Sequence, residues 1–120
     1  MILVDTSIWI DHFRRPVADL AELLDRDLVM QHPFVSGELL LGNPVDRTGL
    51  GSFLESLEQA PICGTGAFAG YVEAQALGGT GIGFVDAHLL VTASLVACTL
   101  WTRDRRLAEQ AERLGLLHPG

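Results

Sequence analysis

MILVDTSIWIDHFRR (Met1–Arg15) decides how the rest of the chain is read, because its fifth residue is an aspartate set directly behind three apolar residues. Ile2, Leu3 and Val4 make the short apolar run of a buried parallel strand, and Thr6 and Ser7 are helix-capping types. An ionised carboxylate at the end of a buried strand is costly without a partner. The stretch predicts a strand, a helix starting at once behind it, and a binding partner for Asp5.

Outward from that strand, apolar and polar residues alternate between two kinds of spacing. Val17, Leu20 and Leu24 in VADLAELLDRD fall on one helical face, and Leu28–Gln31 is a second short strand. HPFVSGELLLGNP enters a helix around Ser36 to Leu41 that stops at Gly42, Asn43 and Pro44. LGSFLESLEQAP reads as a helix ended by Pro61, and a further helix runs through Tyr71 to Leu77 before a glycine-rich loop over Gly78 to Gly83. That loop lacks the GK[ST] ending of a phosphate loop and does not run from strand to helix as a dinucleotide fingerprint requires. FVDAHLLVTASLVA is apolar nearly all round, as a central buried helix is. CTLWT is a strand, DRRLAEQAERLG a last helix closed by Gly115, and LLHPG a short tail. Strands alternating with helices predict one α/β domain over residues 1–120, with a central, mostly parallel sheet flanked by helices.

Composition bounds the function. With 48% apolar residues the chain is globular. Its net charge is −7 and all eight basic residues are arginines, so a broad basic face for nucleic acid is not expected. The longest uncharged apolar run, Leu89 to Trp101, is shorter than the ~18 residues a membrane span needs, and Asp5 interrupts what would be the core of a signal peptide. The expectation is a cytoplasmic protein with no membrane association. Cys63 and Cys98 sit in no disulfide or zinc spacing and read as buried thiols.

Four acids stand where a surface charge is not expected. Asp5 ends the first strand, Glu38 lies beside Leu39, Leu40 and Leu41, Asp86 falls in the first turn of a buried helix, and Asp104 follows the strand CTLWT. Singly, each has an ordinary reading as a helix cap, a dipole partner or an exposed helix residue. Jointly they point to the crevice outside the carboxyl ends of parallel strands, where ligands of open α/β sheets bind. Clustered carboxylates repel unless cations enter, and hard oxygen donors with no Cys or His at softer-metal spacing indicate Mg²⁺ or Mn²⁺. His88, two residues after Asp86, points away from it around the helix.

In this order, VDTSIWIDHFR, VSGELLLG, GFVDAHLLVTAS and LWTRDRRL resemble the four blocks of a PIN-domain ribonuclease, most closely a VapC-type toxin of a bacterial type II toxin–antitoxin system. The resemblance covers nearly the whole chain. It implies a PIN-like three-layer fold and an acidic quartet of Asp5, Glu38, Asp86 and Asp104 around Mg²⁺ or Mn²⁺. It also implies that Thr6, Ser7 and Thr102 orient carboxylates, water or phosphate, although each is equally a cap or strand-end residue. Arg105 and Arg106 stand where many relatives carry a further acid, a departure that bears on whether a second ion is held.

The implied reaction is metal-dependent hydrolysis of an RNA phosphodiester by in-line attack of water, leaving 5′-phosphate and 3′-hydroxyl ends, with no side-chain nucleophile. Arg14, Arg15, Arg103, Arg105 and Arg106 flank two of the motifs and are candidates for phosphate contacts or, equally, for pairing with helix carboxylates. The resemblance further implies a homodimer and a small cognate antitoxin laid across the site. FLESLEQ and the surface around Trp9 and Phe13 are candidates for those contacts, if they are not core. Two rivals remain. An aspartyl-phosphate phosphatase or receiver relies on a lysine, and this chain has none. A non-catalytic PIN-like RNA- or protein-binding module is expected to have lost one of the four acids, and all four are present.

Overall fold

The computed structural model describes all of residues 1–120. Four short strands, β1 (Ile2–Val4), β2 (Val29–Gln31), β3 (Glu58–Gln59) and β4 (Thr99–Trp101), form one sheet in the order β3-β2-β1-β4. Every pairing is parallel, with Ile2 opposite both Val29 and Thr99, and Val4 opposite Trp101. Seven helices connect or follow the strands: α1 (Thr6–Arg14), α2 (Ala18–Asp25), α3 (Pro33–Leu41), α4 (Arg47–Glu55), α5 (Thr65–Ala74), α6 (Phe84–Leu95) and α7 (Arg105–Arg113). This is the α/β architecture expected from the sequence.

The strand order fixes where a ligand site lies. From β1 the chain steps outward to β2 and β3, then crosses back to place β4 on the other side of β1. The reversal makes the junction of β1 and β4 a topological switch point, with a crevice at the strands' carboxyl ends. Asp5 and Thr102 are the residues that leave those two strands. Leu3 and Val4 are both fully buried, as are Leu100 and, nearly so, Trp101. Consecutive strand residues point to opposite faces, so both faces of the sheet are covered, as a parallel sheet requires.

Helix α6 is the central element behind this site. Ala87 to Ala93 are all buried, which is why its sequence shows no polar stripe. Helix α7, by contrast, buries only Leu107 and Ala111 and ends just before Gly115, whose φ of 72° falls in the left-handed region that glycine adopts without strain.

Four boundaries differ from the sequence reading, each for a local reason. Helix α3 starts at Pro33 rather than near Ser36, because proline suits the first helical position and His32 Nδ1 accepts the Phe34 amide as a cap. LGSFLESLEQAP is not one helix: α4 starts earlier, behind the Asp46 cap, and Glu58 and Gln59 then pair with Met30 and Gln31. Helix α5 lies earlier than Tyr71–Leu77, running from Thr65 to Ala74. The tail is not free, since the Leu100 amide donates to Leu116 O at 2.7 Å and the His118 amide to Leu100 O at 2.8 Å. This bridge gives β4 a neighbour on its outer edge. Of the two thiols, Cys98 is buried as expected, whereas Cys63 is partly exposed, with its Sγ 3.6 Å from His88 Nδ1.

Truncation after Gly115 removes both hydrogen bonds to Leu100 and the ring of His118 that packs 5.4 Å from Trp101. At about 1 kcal/mol per lost hydrogen bond, the expected outcome is a folded chain whose Tm falls by roughly 5 to 10 °C, measured by thermal denaturation.

Candidate active site

Asp5 is the best-anchored carboxylate of the protein. It is 5% exposed, and its Oδ2 accepts from the Thr102 hydroxyl at 2.7 Å, the Ser7 hydroxyl at 2.8 Å and the Ser7 amide at 3.4 Å. The sequence produces this directly. Because β1 and β4 run parallel in register, the residues after Val4 and Trp101 emerge side by side, and the Asp5 amide donates to Trp101 O at 3.0 Å. Ser7 also accepts the Arg103 amide at 3.0 Å, and Thr102 accepts the Asp104 amide at 3.0 Å. The two hydroxyls thus tie both strand ends to one carboxylate oxygen.

Of the other acids, Asp86 and Asp104 are placed by helix termini and Glu38 by the body of a helix. Asp104 caps α7, accepting the Leu107 amide on Oδ1 at 3.0 Å, just as Asp5 caps α1. Glu38 projects from the middle of α3 and accepts the Thr6 hydroxyl on Oε1 at 2.8 Å. It is exposed, and Leu41 beside it is 88% exposed, so the leucines of α3 do not bury this segment as their composition suggested. Asp86, in the first turn of α6, is partly buried. In each of the three bonded carboxylates the hydrogen bonds fall on one oxygen, leaving the second oxygen of Asp5, Glu38 and Asp104 without a bond from the chain.

Electrostatics couples Asp86 to the other three acids. The Asp86 carboxyl is raised to about 6, first by burial and then by the negative charges of Asp5, Asp104 and Glu38. Hard oxygen donors that repel one another in this way suit a hard divalent cation. As they stand, no three acids, histidines or cysteines are gathered tightly enough to grip an ion. The fit is therefore one of donor chemistry rather than of a closed cage.

The candidate arginines separate in the structure. Arg103 is ion-paired with Asp11, and Arg105, almost fully exposed, lies 3.4 Å from Glu109 one helical turn on. Arg106 reaches back to Gly81 O at 3.4 Å, bracing the glycine-rich loop that precedes α6. Arg14 lines a groove of about 590 Å³ that begins at Thr6 and Glu38 and continues past Ile10, Phe13, Leu39 and Val45. Arg15 is exposed beside it. Trp9 is fully buried, whereas Phe13 is 49% exposed and Phe53 lies at the surface, so only part of the apolar surface suspected from the sequence is core.

Sequence reasoning missed one feature. Phe34, Phe68, Phe84 and His88 gather at the first turn of α6, with the Phe68 and His88 rings stacked 4.3 Å apart. His88 does turn away from the carboxylates, as helical spacing predicts, and is buried among these rings. The Phe84–His88 pair, four residues apart, was the legible signal; the rings from α3 and α5 come from elsewhere in the chain.

The fold has close solved counterparts. FitAcB from Neisseria gonorrhoeae superposes with a TM-score of 0.64 at 23% identity, covering 93% of this chain and 94% of that one. PAE2754 from Pyrobaculum aerophilum gives 0.61 at 20% identity, covering 94% and 85%. At these identities the likeness shows the fold, a PIN-like α/β domain. No family model matches the chain. Among curated proteins, Ribonuclease VapC32 of Mycobacterium tuberculosis is 42% identical over 117 residues, 97% of this chain and 94% of its own length. The chain belongs to the VapC family of PIN-domain ribonucleases.

The elevated Asp86 carboxyl has a consequence for stability. The folded state holds this proton more tightly than the unfolded chain, so folding is favoured below pH about 4 and disfavoured as pH rises through about 6. In EDTA at pH 7.5, Asp86→Asn is expected to stabilise the protein by about 1 to 3 kcal/mol, with the gain gone at pH 4. Chemical denaturation of both proteins at the two pH values measures it.

Proposed function

We propose that this chain is a Mg²⁺- or Mn²⁺-dependent endoribonuclease toxin, with Asp5, Glu38, Asp86 and Asp104 as its metal-binding and catalytic acids and a small antitoxin as its restraint. The observation that carries the proposal is the response of Asp86 to all three of the other acids, which come from three separate segments of the chain. A divalent ion held among them supplies counter-charge and Lewis acidity toward water and the scissile phosphate. The rest is the work of the chain. Thr102 and Ser7 fix the Asp5 carboxylate so that one oxygen is bound and the other free. Thr6 does the same for Glu38, and the α7 terminus for Asp104. Asp86, carrying no such restraint, is the acid left free to adjust its position and protonation.

Substrate phosphate has few unpaired cations to meet. Arg14, Arg15 and Arg106 are the candidates, since Arg103 and Arg105 already have carboxylate partners. Affinity for RNA is therefore modest and salt-sensitive. The groove from Glu38 to Val45 suits an apolar peptide segment with a basic side chain directed at Glu38, which supports an antitoxin as the resident partner. Exposed apolar side chains such as Ile62 and Leu95 are available for the homodimer that completes this reading. No helix is long and apolar enough to cross a membrane. Action on RNA beside an antitoxin supports reading the protein as cytoplasmic.

The test is cleavage of total bacterial RNA by the purified, antitoxin-free chain in Mg²⁺, Mn²⁺ or EDTA, beside Asp5→Asn. Discrete cuts are expected with either ion and none with EDTA, and the variant is expected to lose at least about 100-fold in rate while keeping its fold. Cuts that persist in both EDTA and the variant would sink the proposal.

A further inference from the structure

One helical turn from Glu38 along α3 begins an aromatic cluster that phosphodiester chemistry does not use. The Phe84 ring is centred 5.9 Å from Phe34, 5.6 Å from Phe68 and 4.6 Å from His88. His88 beneath it is 5% exposed, yet Phe84 itself is 63% exposed. Three rings from three helices hold one phenylalanine in place while most of its surface stays in water.

Its position ties it to the site. Phe84 and Asp86 are the first and third residues of α6. Phe34 precedes Glu38 by four residues on α3, so the two share a helix face about 6 Å apart along the axis. On α3 the cluster thus lies one helical turn from Glu38, while on α6 Phe84 and His88 share the face turned away from Asp86.

We propose that Phe84, braced by Phe34, Phe68 and His88, is a stacking platform for an unpaired RNA base that lies beyond the Glu38 side of the acids. This rests on the ribonuclease reading above and adds a substrate-binding residue to it. Charge argues for such a contact. With a net charge of −7 and two of the five flanking arginines paired, the chain cannot rely on phosphates alone for its grip. Stacking on an aromatic face needs no charge and tolerates any base. It also selects single strands, because a paired base already has both faces covered within the helix.

The experiment uses the full chain and an oligoribonucleotide with 2-aminopurine at one position, single-stranded or annealed to its complement. Binding is followed by fluorescence in the Asp5→Asn background, and steady-state cleavage with Mg²⁺ in the otherwise native chain, for Phe84→Leu, Phe84→Ala and Phe84→Trp. The expected result is strong quenching of the single strand that Phe84→Leu removes. KM is expected to rise about tenfold in the Leu and Ala variants with kcat within twofold, and to be restored by Trp. Thermal denaturation checks that each variant is folded.

Unchanged KM in folded Leu and Ala variants overturns the platform while cleavage by the native chain leaves the ribonuclease reading standing. Recovery by Leu as complete as by Trp also overturns it, since any apolar side chain then suffices. A fall in kcat at constant KM would make Phe84 a support for Asp86 instead. Loss of binding only to the protein that copurifies with the native chain, with RNA affinity intact, would assign the platform to that partner. If the native chain neither binds nor cuts RNA, the ribonuclease reading fails and the platform with it.

Discussion

The burial of the Asp5 carboxylate at the end of β1 is the constraint around which this protein is arranged. Asp5 is buried, and a buried charge survives only with strong hydrogen bonds or a counter-ion. Three donors on Oδ2 meet that need, and they exist because β1 and β4 are adjacent and parallel, in a register that sets Thr102 beside Asp5. Sheet order, strand register and helix capping all bear on that one oxygen. The remaining acids are tolerated by being more exposed, as Glu38 and Asp104 are, or by holding their proton more tightly, as Asp86 does.

This explains why so much of the site was legible in the sequence. An aspartate just behind the strands ILV and TLW readily caps the following helix, so the local reading and the proposed reading of Asp5 and Asp104 are compatible: both residues cap helices, and each keeps one carboxylate oxygen without a bond from the chain. Helix α6 was equally legible, because a helix buried from Ala87 to Ala93 leaves no polar stripe in its sequence. Strand β3 was not. Glu58 and Gln59 are exposed, carry no apolar alternation, and are strand only because Met30 and Gln31 offer an open edge. The tail was lost for the same reason, since its pairing with Leu100 is a tertiary fact. Glu38 was placed correctly on a helix but in the wrong environment: three consecutive leucines wind around α3, so Leu39 goes to the core while Leu41 faces solvent.

The cations divide in a way composition could not reveal. Eight arginines against fifteen acids suggest a chain ill suited to RNA, and the structure spends Arg103 and Arg105 on carboxylates and Arg47 on the carbonyls that end α3. Exposed pairs of this kind contribute little to stability, so their main effect is to hold the arginines in place. What remains is Arg14, which lines the groove, and Arg106, which reaches to Gly81 O, both exposed. On the proposed reading, recognition depends more on apolar and aromatic surface than on charge, for a protein partner as much as for RNA.

Two groups set how the fold answers to acid, with opposite signs. His32 is fully buried and lowered to about 4 by burial and by His88. Its contribution to stability is present above pH 6.5 and is lost as pH falls toward 4. Asp86 works the other way over nearly the same window, since its penalty fades as its proton binds. The two therefore offset one another in the chain without a cation. Counter-charge at the acids lowers the proton affinity of Asp86 and leaves His32 unopposed. An occupied site therefore makes the protein more stable at neutral pH and more sensitive to acid, which turns the slope of stability against pH between 4 and 6.5 into a reporter of whether the acids hold an ion.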